Sequence, residues 1–481
     1  MSAGNIKKAL TLCFLLNTFL LHAQSINDYF QKIRNNEAEL TAFISQMPKG
    51  GDLHNHYSGA VYAESYINWV INKDFWINTG TLQISPDIDT AIHKGWTKFS
   101  ILAKTNELNS YRERLLQLWS VKDYNQMSDP PEQHFFATFG AFSPASNINY
   151  DSGFLEIKKR AIAENVSYVE MMFSRVDFAK ENIDSTGYYV SVLADIQGQH
   201  NANKLKPLLD KLYGKIIKLH VTDSVNSFTH ALDSLHYTLH MDDEDFTMRY
   251  QTYIIRIQDP VTTFKNLVVS FEAASKDTLI TGVNIVAPED NPVSMRDYWL
   301  HMQMFAYCHQ KYPSVKYSMH AGEITEGYVQ PEQLTWHISE AVYTAGAQRI
   351  GHGVDVAYEK DNYKLLNYMS KNHIAVEINL SSNEFILGVK NDKHPILLYK
   401  NFHVPIVIST DDAGVSRTSL TEQYVLLALR YKEITYTDIK SFVYNSIEYS
   451  FMTSSKKMAL KKNLDARFKI FENYIMQQKP Q

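Results

Sequence analysis

Cysteine is almost absent from this sequence, with only Cys13 and Cys308 among 481 residues. Cys13 lies in an N-terminal apolar segment that we expect to be removed, so Cys308 would remain alone and could form no intrachain disulfide. A chain of this length can be stable on its hydrophobic core, and the lack of disulfides therefore does not argue against export. Cys308 lies in a predicted helix, residues 302–312, where we expect it to be buried in packing.

The chain also lacks an excess of basic residues, since 47 Lys and Arg face 52 Asp and Glu, a net charge of -5. Proteins that bind nucleic acids need cationic surfaces that neutralise phosphates, so we expect no nucleic-acid partner. No apolar run reaches the roughly 20 residues that a membrane-spanning helix needs. We therefore expect no stable membrane span in the mature chain, and the sequence predicts no particular oligomeric state.

The first 23 residues have the pattern of a secretory signal peptide. A basic pair, Lys7-Lys8, precedes a short apolar run, and Ala23 precedes a plausible cleavage site. We expect residues 1–23 to be removed and the protein to be exported to the periplasm or the medium. The alternatives are an uncleaved anchor or a simple core helix. After removal of the signal peptide, we expect residues 24–481 to form a single domain.

Eight short, largely apolar segments follow an N-terminal helical stretch and alternate with helical patterns. Polar and ionisable residues are concentrated where these segments end. This arrangement predicts a (β/α)₈ barrel, an α/β fold of the TIM-barrel type. A doubly wound sheet is the alternative, but it would gather its polar groups at one switch point. The predicted strands are the segment around 50–56, then 166–173, 253–257, 280–286, 315–319, 348–350, 374–380 and 405–410, with a helical insertion at about 60–150 after the first strand.

His54 and His56 lie one residue apart in the first predicted strand. In extended backbone, alternate side chains point to the same side, so both imidazoles could reach one ion. Two polar loop histidines would explain this pair about as well. The pair therefore indicates a metal site only in combination with the residues at the later strand ends.

Those later strand ends supply further ionisable groups. His320 and Glu323 are separated by Ala-Gly, a small pair that lets the backbone approach a ligand closely. His352 lies between two glycines. Asp411 and Asp412 are adjacent at a predicted buried strand end, where two carboxylates would repel each other without a nearby cation. A helix N-cap could explain one of them but not both.

Three histidines and one aspartate at strand ends suit a zinc ion with one position open for water. We predict one Zn²⁺ per chain, and a bound ion of this kind can activate water for hydrolysis. The predicted ligands are His54, His56, His320 and Asp411.

The remaining three residues can then serve the reaction. His352 can take the proton of the water or steady an anionic intermediate, and Glu323 can donate a proton if a dry pocket raises its pKa. Asp412 can accept a hydrogen bond from the substrate. Together these residues predict hydrolysis at a polar, unsaturated carbon.

Four motifs resemble the adenosine deaminases of the amidohydrolase superfamily, in that family's order. They are DLHNH at 52–56, HAGE at 320–323, RIGHG at 349–353 and STDD at 409–412. The resemblance implies zinc, attack of water on C6 of a purine nucleoside such as adenosine or 2′-deoxyadenosine, protonation of N1 by Glu323, and release of ammonia. Glu289-Asp290, Tyr298 and the 381–395 segment resemble the secreted, growth-factor-related branch.

Two positions depart from the pattern of that family. Ser58 stands where many members have an aspartate that holds the ribose 5′-hydroxyl, and Ala287 stands where many have a glycine near purine N3. Two alternatives therefore stay open: a deaminase of another aminopurine (a nucleotide or a modified adenosine), or a catalytically inactive purine-binding barrel. No basic cluster adjoins the motifs, so a nucleotide is less favoured. The insertion has no cysteines, and growth-factor activity is not inferred.

Overall fold

The computed structural model describes residues 26–88, 94–125, 129–176, 178, 182–219 and 221–478. The predicted signal peptide, residues 1–23, lies outside these residues, so its cleavage and the export of the protein stay predictions. Among the described residues, no helix combines the length and the apolarity that crossing a membrane requires.

Eight parallel strands form the centre of the protein, as the sequence predicts. The first four and the last four each form a parallel sheet. Single bridges, Asn55 with Asp411 and Val283 with Tyr317, join the two sheets on both sides and close the barrel. We number the strands β1 to β8 in chain order: Gly50–His56, Val166–Ser174, Thr247–Ile255, Ile280–Val286, Ser318–Ala321, Arg349–His352, Ala375–Ile378 and Ile406–Ile408.

Two strands are shifted from the positions that their apolar patterns predict. β5 runs from Ser318 to Ala321 and not over 315–319. β3 runs from Thr247 to Ile255 and not over 253–257. Its first half is polar, and Gln251 and Thr252 are buried nonetheless. Gln251 forms hydrogen bonds with Glu170 and Asn284 inside the barrel, so the strand is not a plain apolar run.

Helices surround the barrel and pack their apolar faces on its strands. Two helical segments precede β1, residues 26–33 and Glu37–Gln46, and the second is capped by the Asn36 side chain. Cys308 is buried in the helix after β4, as predicted. After β2 the α-helices are Tyr188–Gly198, Ala202–Ile217, Val221–Thr238, Pro260–Lys276, Pro292–Lys311, His337–Ser339, Asn362–Lys371, Leu380–Leu387, Ile396–Asn401, Ala413–Ser416, Leu420–Arg430, Tyr436–Glu448 and Ser454–Gln478, with 3₁₀ turns at Pro331–Thr335 and Asn391–Lys393 and a π-helical turn at Glu340–Ala345.

The segment between β1 and β2 is mostly helical, which confirms the predicted insertion. It also contains a small antiparallel sheet that the sequence did not predict, because strands of two or three residues are too short to show alternation. Its strands are Trp76–Asn78, Ile84–Ser85 and Trp96–Lys98. Its helices are Tyr57–Ala60, Ala63–Asn72, Phe99–Lys104, Leu108–Leu118, Pro131–Ser146 and Tyr150–Ala163.

The insertion helix Pro131–Ser146 connects the insertion to the barrel. It packs against Leu380–Leu387, the helix after β7, and Phe135 contacts Phe385 with ring centroids 6.2 Å apart. In its first turn, Glu132 shares a hydrogen bond with Asp290, which follows β4. Burial and this bond raise the pKa of Glu132 to about 8.

This carboxyl pair predicts a pH-dependent contribution to stability. Because the folded protein holds the Glu132 proton above the ordinary glutamate pKa of 4.5, the contribution is lost as the pH rises from about 4.5 towards about 8. Glu132→Gln stays neutral at every pH, so we expect it to raise Tm by about 1–3 °C over the parent at pH 9 but not at pH 5. Thermal unfolding at both pH values checks this. Glu113→Gln, an exposed glutamate of the same insertion, serves as the control. Equal Tm differences for Glu132→Gln at pH 5 and pH 9 would contradict it.

Candidate active site

The strand ends bring the four predicted metal ligands to one point. His54 and His56 lie at the end of β1, His320 lies in β5, and Asp411 follows β8. The Nε2 atom of His320 is 3.0 Å from Nε2 of His54 and 3.2 Å from Nε2 of His56. Asp411 Oδ1 lies 3.6 Å and 3.3 Å from the same two atoms. One position is therefore surrounded by three ring nitrogens and one carboxylate oxygen.

The protonation of these rings makes the position suitable for a cation. His54 Nδ1 donates a hydrogen bond to Glu377 Oε2 over 2.7 Å, and His320 Nδ1 donates to Asn284 Oδ1 over 3.0 Å. Burial and the neighbouring histidines hold the pKa of His320 well below its usual range, so that ring is neutral. When both rings are neutral and protonated on Nδ1, their Nε2 lone pairs face each other at 3.0 Å. Such lone pairs repel unless a metal ion lies between them, and the donor set fits one.

A buried ion network lies beneath this position, on the barrel axis. Glu377 accepts hydrogen bonds from Arg349 Nε over 2.5 Å and from the Ser318 hydroxyl over 2.8 Å. Arg349 Nη2 donates to Glu170 over 2.5 Å. Burial alone would raise the pKa of Glu377, but Arg349 and His54 lower it to about 2. One guanidinium thus balances two carboxylates that sequence analysis did not select.

Two amide side chains, those of Gln251 and Asn284, connect the same network to His320. Gln251 Nε2 donates to Glu170 over 2.9 Å, and Asn284 Nδ2 donates to Gln251 Oε1 over 3.0 Å. Each amide must present its NH₂ group towards the carboxylate side, so Asn284 presents its oxygen to His320. The signal that could have identified these residues is a polar residue within an otherwise apolar strand, as Glu170 is in β2.

Glu323 lies beside the metal position on a tight turn. Gly322 has a φ of +72°, and the N–H groups of Gly322 and Glu323 donate to the buried Glu289 carboxylate over 3.0 and 2.9 Å. Burial, then the nearby Asp411 charge, raise the pKa of Glu323 well above its usual range. This shift favours the protonated form of Glu323, the form that its predicted role as a proton donor needs.

His352 is held in one tautomer by a chain of hydrogen bonds. The N–H of Ile396 donates to His394 Nδ1 over 3.3 Å, so the His394 proton lies on Nε2 and is donated to Asn383 Oδ1 over 3.1 Å. Asn383 Nδ2 then donates to His352 Nδ1 over 2.9 Å. Burial lowers the pKa of both rings to about 3, so both are neutral. The proton of His352 therefore lies on Nε2, which faces Asp411 Oδ2 at 3.9 Å.

The two adjacent aspartates differ in charge. The contacts of Asp411 with His56, His54 and His352 lower its pKa although burial opposes this, whereas burial and Asp411 itself raise the pKa of Asp412 well above its usual range. Gly59 makes room for Asp412, because a Cβ there would lie 1.7 Å from Asp412 Oδ1. Among the described residues, Asp412 Oδ1 has no hydrogen-bond partner. It is therefore available to a ligand.

A cavity of about 400 Å³ opens from the metal position towards the barrel mouth. Ser58, after β1, and Ala287, after β4, both line it, as the predicted substrate contacts should. The other lining residues are His56, Phe135, Phe136, Phe139, Tyr253, Ile255, Ile257, Val286, Pro288, His320, Glu323, His352, Ile386, Asp411 and Asp412.

The chain is similar in sequence to known adenosine deaminases. A family model described as "Adenosine deaminase" matches residues 154–467. The adenosine deaminase of Clostridium acetobutylicum is 31% identical over 167 residues, which are 34% of this chain and 46% of that protein. The adenosine deaminase of Shewanella halifaxensis is 23% identical over 309 residues, 64% of this chain and 75% of that protein. The match thus spans just under half the length of the Clostridium protein.

Solved structures share the fold at low sequence identity. The N6-methyl-AMP deaminase of Arabidopsis thaliana has a TM-score of 0.55 and 16% identity, and the match covers 89% of this chain and 98% of that one. A zinc-bound amidohydrolase of Burkholderia ambifaria has a TM-score of 0.51 and 16% identity, with coverage of 91% and 95%. Identities this low show the fold alone.

The ion network predicts a large stability effect at one carboxylate. Glu377→Gln leaves Arg349 paired with Glu170 but removes the charged acceptor of Arg349 Nε, His54 and Ser318, and each buried donor that loses its acceptor costs about 1–3 kcal/mol of unfolding free energy. Denaturant unfolding in the presence of a chelator measures this without a contribution from bound metal. The control is Glu384→Gln, whose partners Lys390 and Arg430 lie nearer the surface, with an expected loss of at most about 1 kcal/mol. Equal losses in the two variants would show that the network does not stabilise the barrel.

Proposed function

Because the chain belongs to the adenosine deaminase family, we propose that it hydrolyses adenosine or 2′-deoxyadenosine to inosine or 2′-deoxyinosine and ammonia. The observation that carries this proposal is the convergence of three histidine nitrogens and Asp411 next to a protonated Glu323. A metal position and an acid in contact with one cavity suit hydrolysis of a polar, unsaturated carbon.

We propose that one Zn²⁺ ion occupies the position between His54, His56, His320 and Asp411. Nitrogen and oxygen donors in this ratio suit zinc. The zinc in the Burkholderia ambifaria structure supports the choice, although only the fold is shared at 16% identity. When bound, the ion would supply Lewis-acid activation of a water molecule.

Three residues then act on the purine. Glu323 can give its proton to a ring nitrogen next to the reacting carbon, because its raised pKa keeps the proton available at neutral pH. His352 has its proton on Nε2, so it can donate a hydrogen bond to an oxygen that gains negative charge rather than take a proton there. Asp412 has a free Oδ1 and a raised pKa, so it can also donate a hydrogen bond to a ring nitrogen of the substrate.

The lining of the cavity favours a nucleoside over a nucleotide. None of the described lining residues is Lys or Arg, whereas phosphate recognition depends on such cations. The Arabidopsis neighbour is an N6-methyl-AMP deaminase, so a nucleotide stays the second candidate. A catalytically inactive purine-binding barrel is the third, but Glu323 and all four predicted ligands are present.

We also propose that the protein is exported after removal of residues 1–23, on the strength of the basic pair and apolar run at the start of the sequence. N-terminal sequencing of the protein released from cells tests this, and an intact Met1 would contradict it.

Metal analysis of the purified protein should find about one zinc per chain, because the four donors form a single set around one position. His56→Ala should lose most of this zinc, while His403→Ala, an exposed histidine at the opposite end of the barrel, should keep it. Full zinc content in His56→Ala, or full activity after chelation, would remove zinc from the proposal.

Glu323→Gln should lower the rate of ammonia release by about 10²–10⁴-fold while zinc stays bound, because glutamine has no acidic proton to give. Glu326→Gln changes an exposed glutamate three residues further on and should leave the rate unchanged. Near-normal turnover in Glu323→Gln would exclude the proposed role of Glu323.

Release of ammonia from adenosine, 2′-deoxyadenosine, adenine and AMP, and of methylamine from N6-methyl-AMP, separates the three candidates. We expect turnover of the two nucleosides to exceed that of both nucleotides, since the described lining offers no cation for a phosphate. Faster turnover of AMP or N6-methyl-AMP would favour the nucleotide deaminase, and no release from any of them would favour the inactive barrel.

A further inference from the structure

The cavity lining is polar around the metal position. The ionisable lining residues there are His56, His320, Glu323, His352 and the two aspartates. The other lining side chains are hydrocarbon except for Ser58 and Tyr253, and they come from the ends of β3 and β4, the segment after β4 and two helices. The apolar lining consists of Phe135, Phe136, Phe139, Ile255, Ile257, Val286, Ala287, Pro288 and Ile386.

The insertion helix supplies the aromatic part of this apolar lining. Phe136 and Phe139 are three residues apart and therefore lie on the same side of the helix Pro131–Ser146. Both are half-buried and line the cavity, whereas Phe135 is buried, 5.4 Å from Phe136 between ring centroids. Phe135 also contacts Phe385 on the helix after β7, so the aromatic wall is held against the barrel.

The charges near this wall would disfavour an anion. No described residue that lines the cavity is a lysine or an arginine. A further carboxyl pair, Glu132 with Asp290, joins the insertion helix to the loop that follows Pro288 and offers no cation either. A phosphate here would meet apolar side chains without a cation to pair with, and the loss of its hydration would go uncompensated.

In the reaction proposed above, C6 of the purine lies at the metal position. N9 lies on the opposite side of the bicyclic ring, so the group attached to N9 extends away from the metal towards the apolar lining. We propose that the preferred substrate is a neutral aminopurine nucleoside whose sugar ends in an apolar 5′ group, such as a 5′-deoxy-5′-alkylthio group. This inference rests on the proposed deaminase function and narrows its substrate class.

The test compares kcat/KM for adenosine, 5′-deoxyadenosine, 5′-deoxy-5′-methylthioadenosine and AMP with the zinc-loaded protein. Each methylene-sized group that leaves water for the aromatic wall gains about fourfold. We therefore expect the methylthio nucleoside to exceed adenosine by roughly tenfold, 5′-deoxyadenosine to lie at or above adenosine, and AMP to lie far below it. Adenosine at or above the methylthio nucleoside, or AMP at or above adenosine, would overturn the proposal.

Substitution of Phe136 tests whether the aromatic wall causes the preference for an apolar 5′ group. Phe136→Ala removes part of the wall, so the ratio of kcat/KM for the methylthio nucleoside to kcat/KM for adenosine should fall from roughly ten towards one. Phe402→Ala is the matched control, since Phe402 is also a half-buried phenylalanine but stacks on Tyr363 outside the cavity. An unchanged ratio in Phe136→Ala, or an equal fall of the ratio in Phe402→Ala, would show that the aromatic wall does not recognise the 5′ group.

Binding separates failure of this inference from failure of the deaminase proposal. If no aminopurine is deaminated, the deaminase proposal fails, and calorimetric affinities of the same four compounds still rank their 5′ groups. The same order of affinities would support the apolar subsite in a binding barrel. If adenosine is deaminated but the methylthio nucleoside is not preferred, the substrate class alone is wrong.

Discussion

The arrangement of the histidines around the metal position depends on one buried guanidinium, that of Arg349. It balances the carboxylates of Glu170 and Glu377 inside the barrel. Glu377 fixes the proton of His54 directly, and Glu170 fixes that of His320 through Gln251 and Asn284. Both rings must therefore turn their lone pairs to the same point. The metal position is thus a consequence of the charged network inside the barrel, because its hydrogen bonds set the orientation of both rings.

The same position depends on closure of the barrel. Asp411 N donates to the carbonyl of His54 over 2.8 Å, and His56 N donates to the carbonyl of Asp411 over 3.3 Å. These two bonds join β1 to the end of β8, the seam where the first and last strands meet. Asp411 adopts a φ of +60°, a conformation that non-glycine residues rarely take. The fold is thus completed by the residues that carry the proposed chemistry, and strain at Asp411 is offset by the bonds that close the barrel.

The sequence predicts the barrel and the residues at its strand ends, because glycines and ionisable groups after apolar runs give a local pattern. His320 and Glu323 around Ala-Gly show this most clearly. The network beneath them gives no such pattern, since Glu170 and Arg349 are 179 residues apart and neither lies at the carboxyl end of its strand. The chain from His394 through Asn383 to His352 likewise depends on which atoms face each other in three dimensions. The polar half of β3 was missed for the same reason: its side chains find their partners only inside a closed barrel.

The two ends of the cavity come from different parts of the chain. The polar end comes from strand termini whose side chains are connected by hydrogen bonds across the barrel. A change at one of these side chains therefore disturbs several others. The aromatic end comes from one face of an insertion helix that meets the barrel through helix packing and the Glu132–Asp290 pair. Phe136 and Phe139 contribute only ring surface to the cavity. Substitution there can alter which purine derivative fits without moving a ligand or a proton donor, because none of the hydrogen bonds described above for His54, His320, Glu323 and His352 involves a residue of that helix.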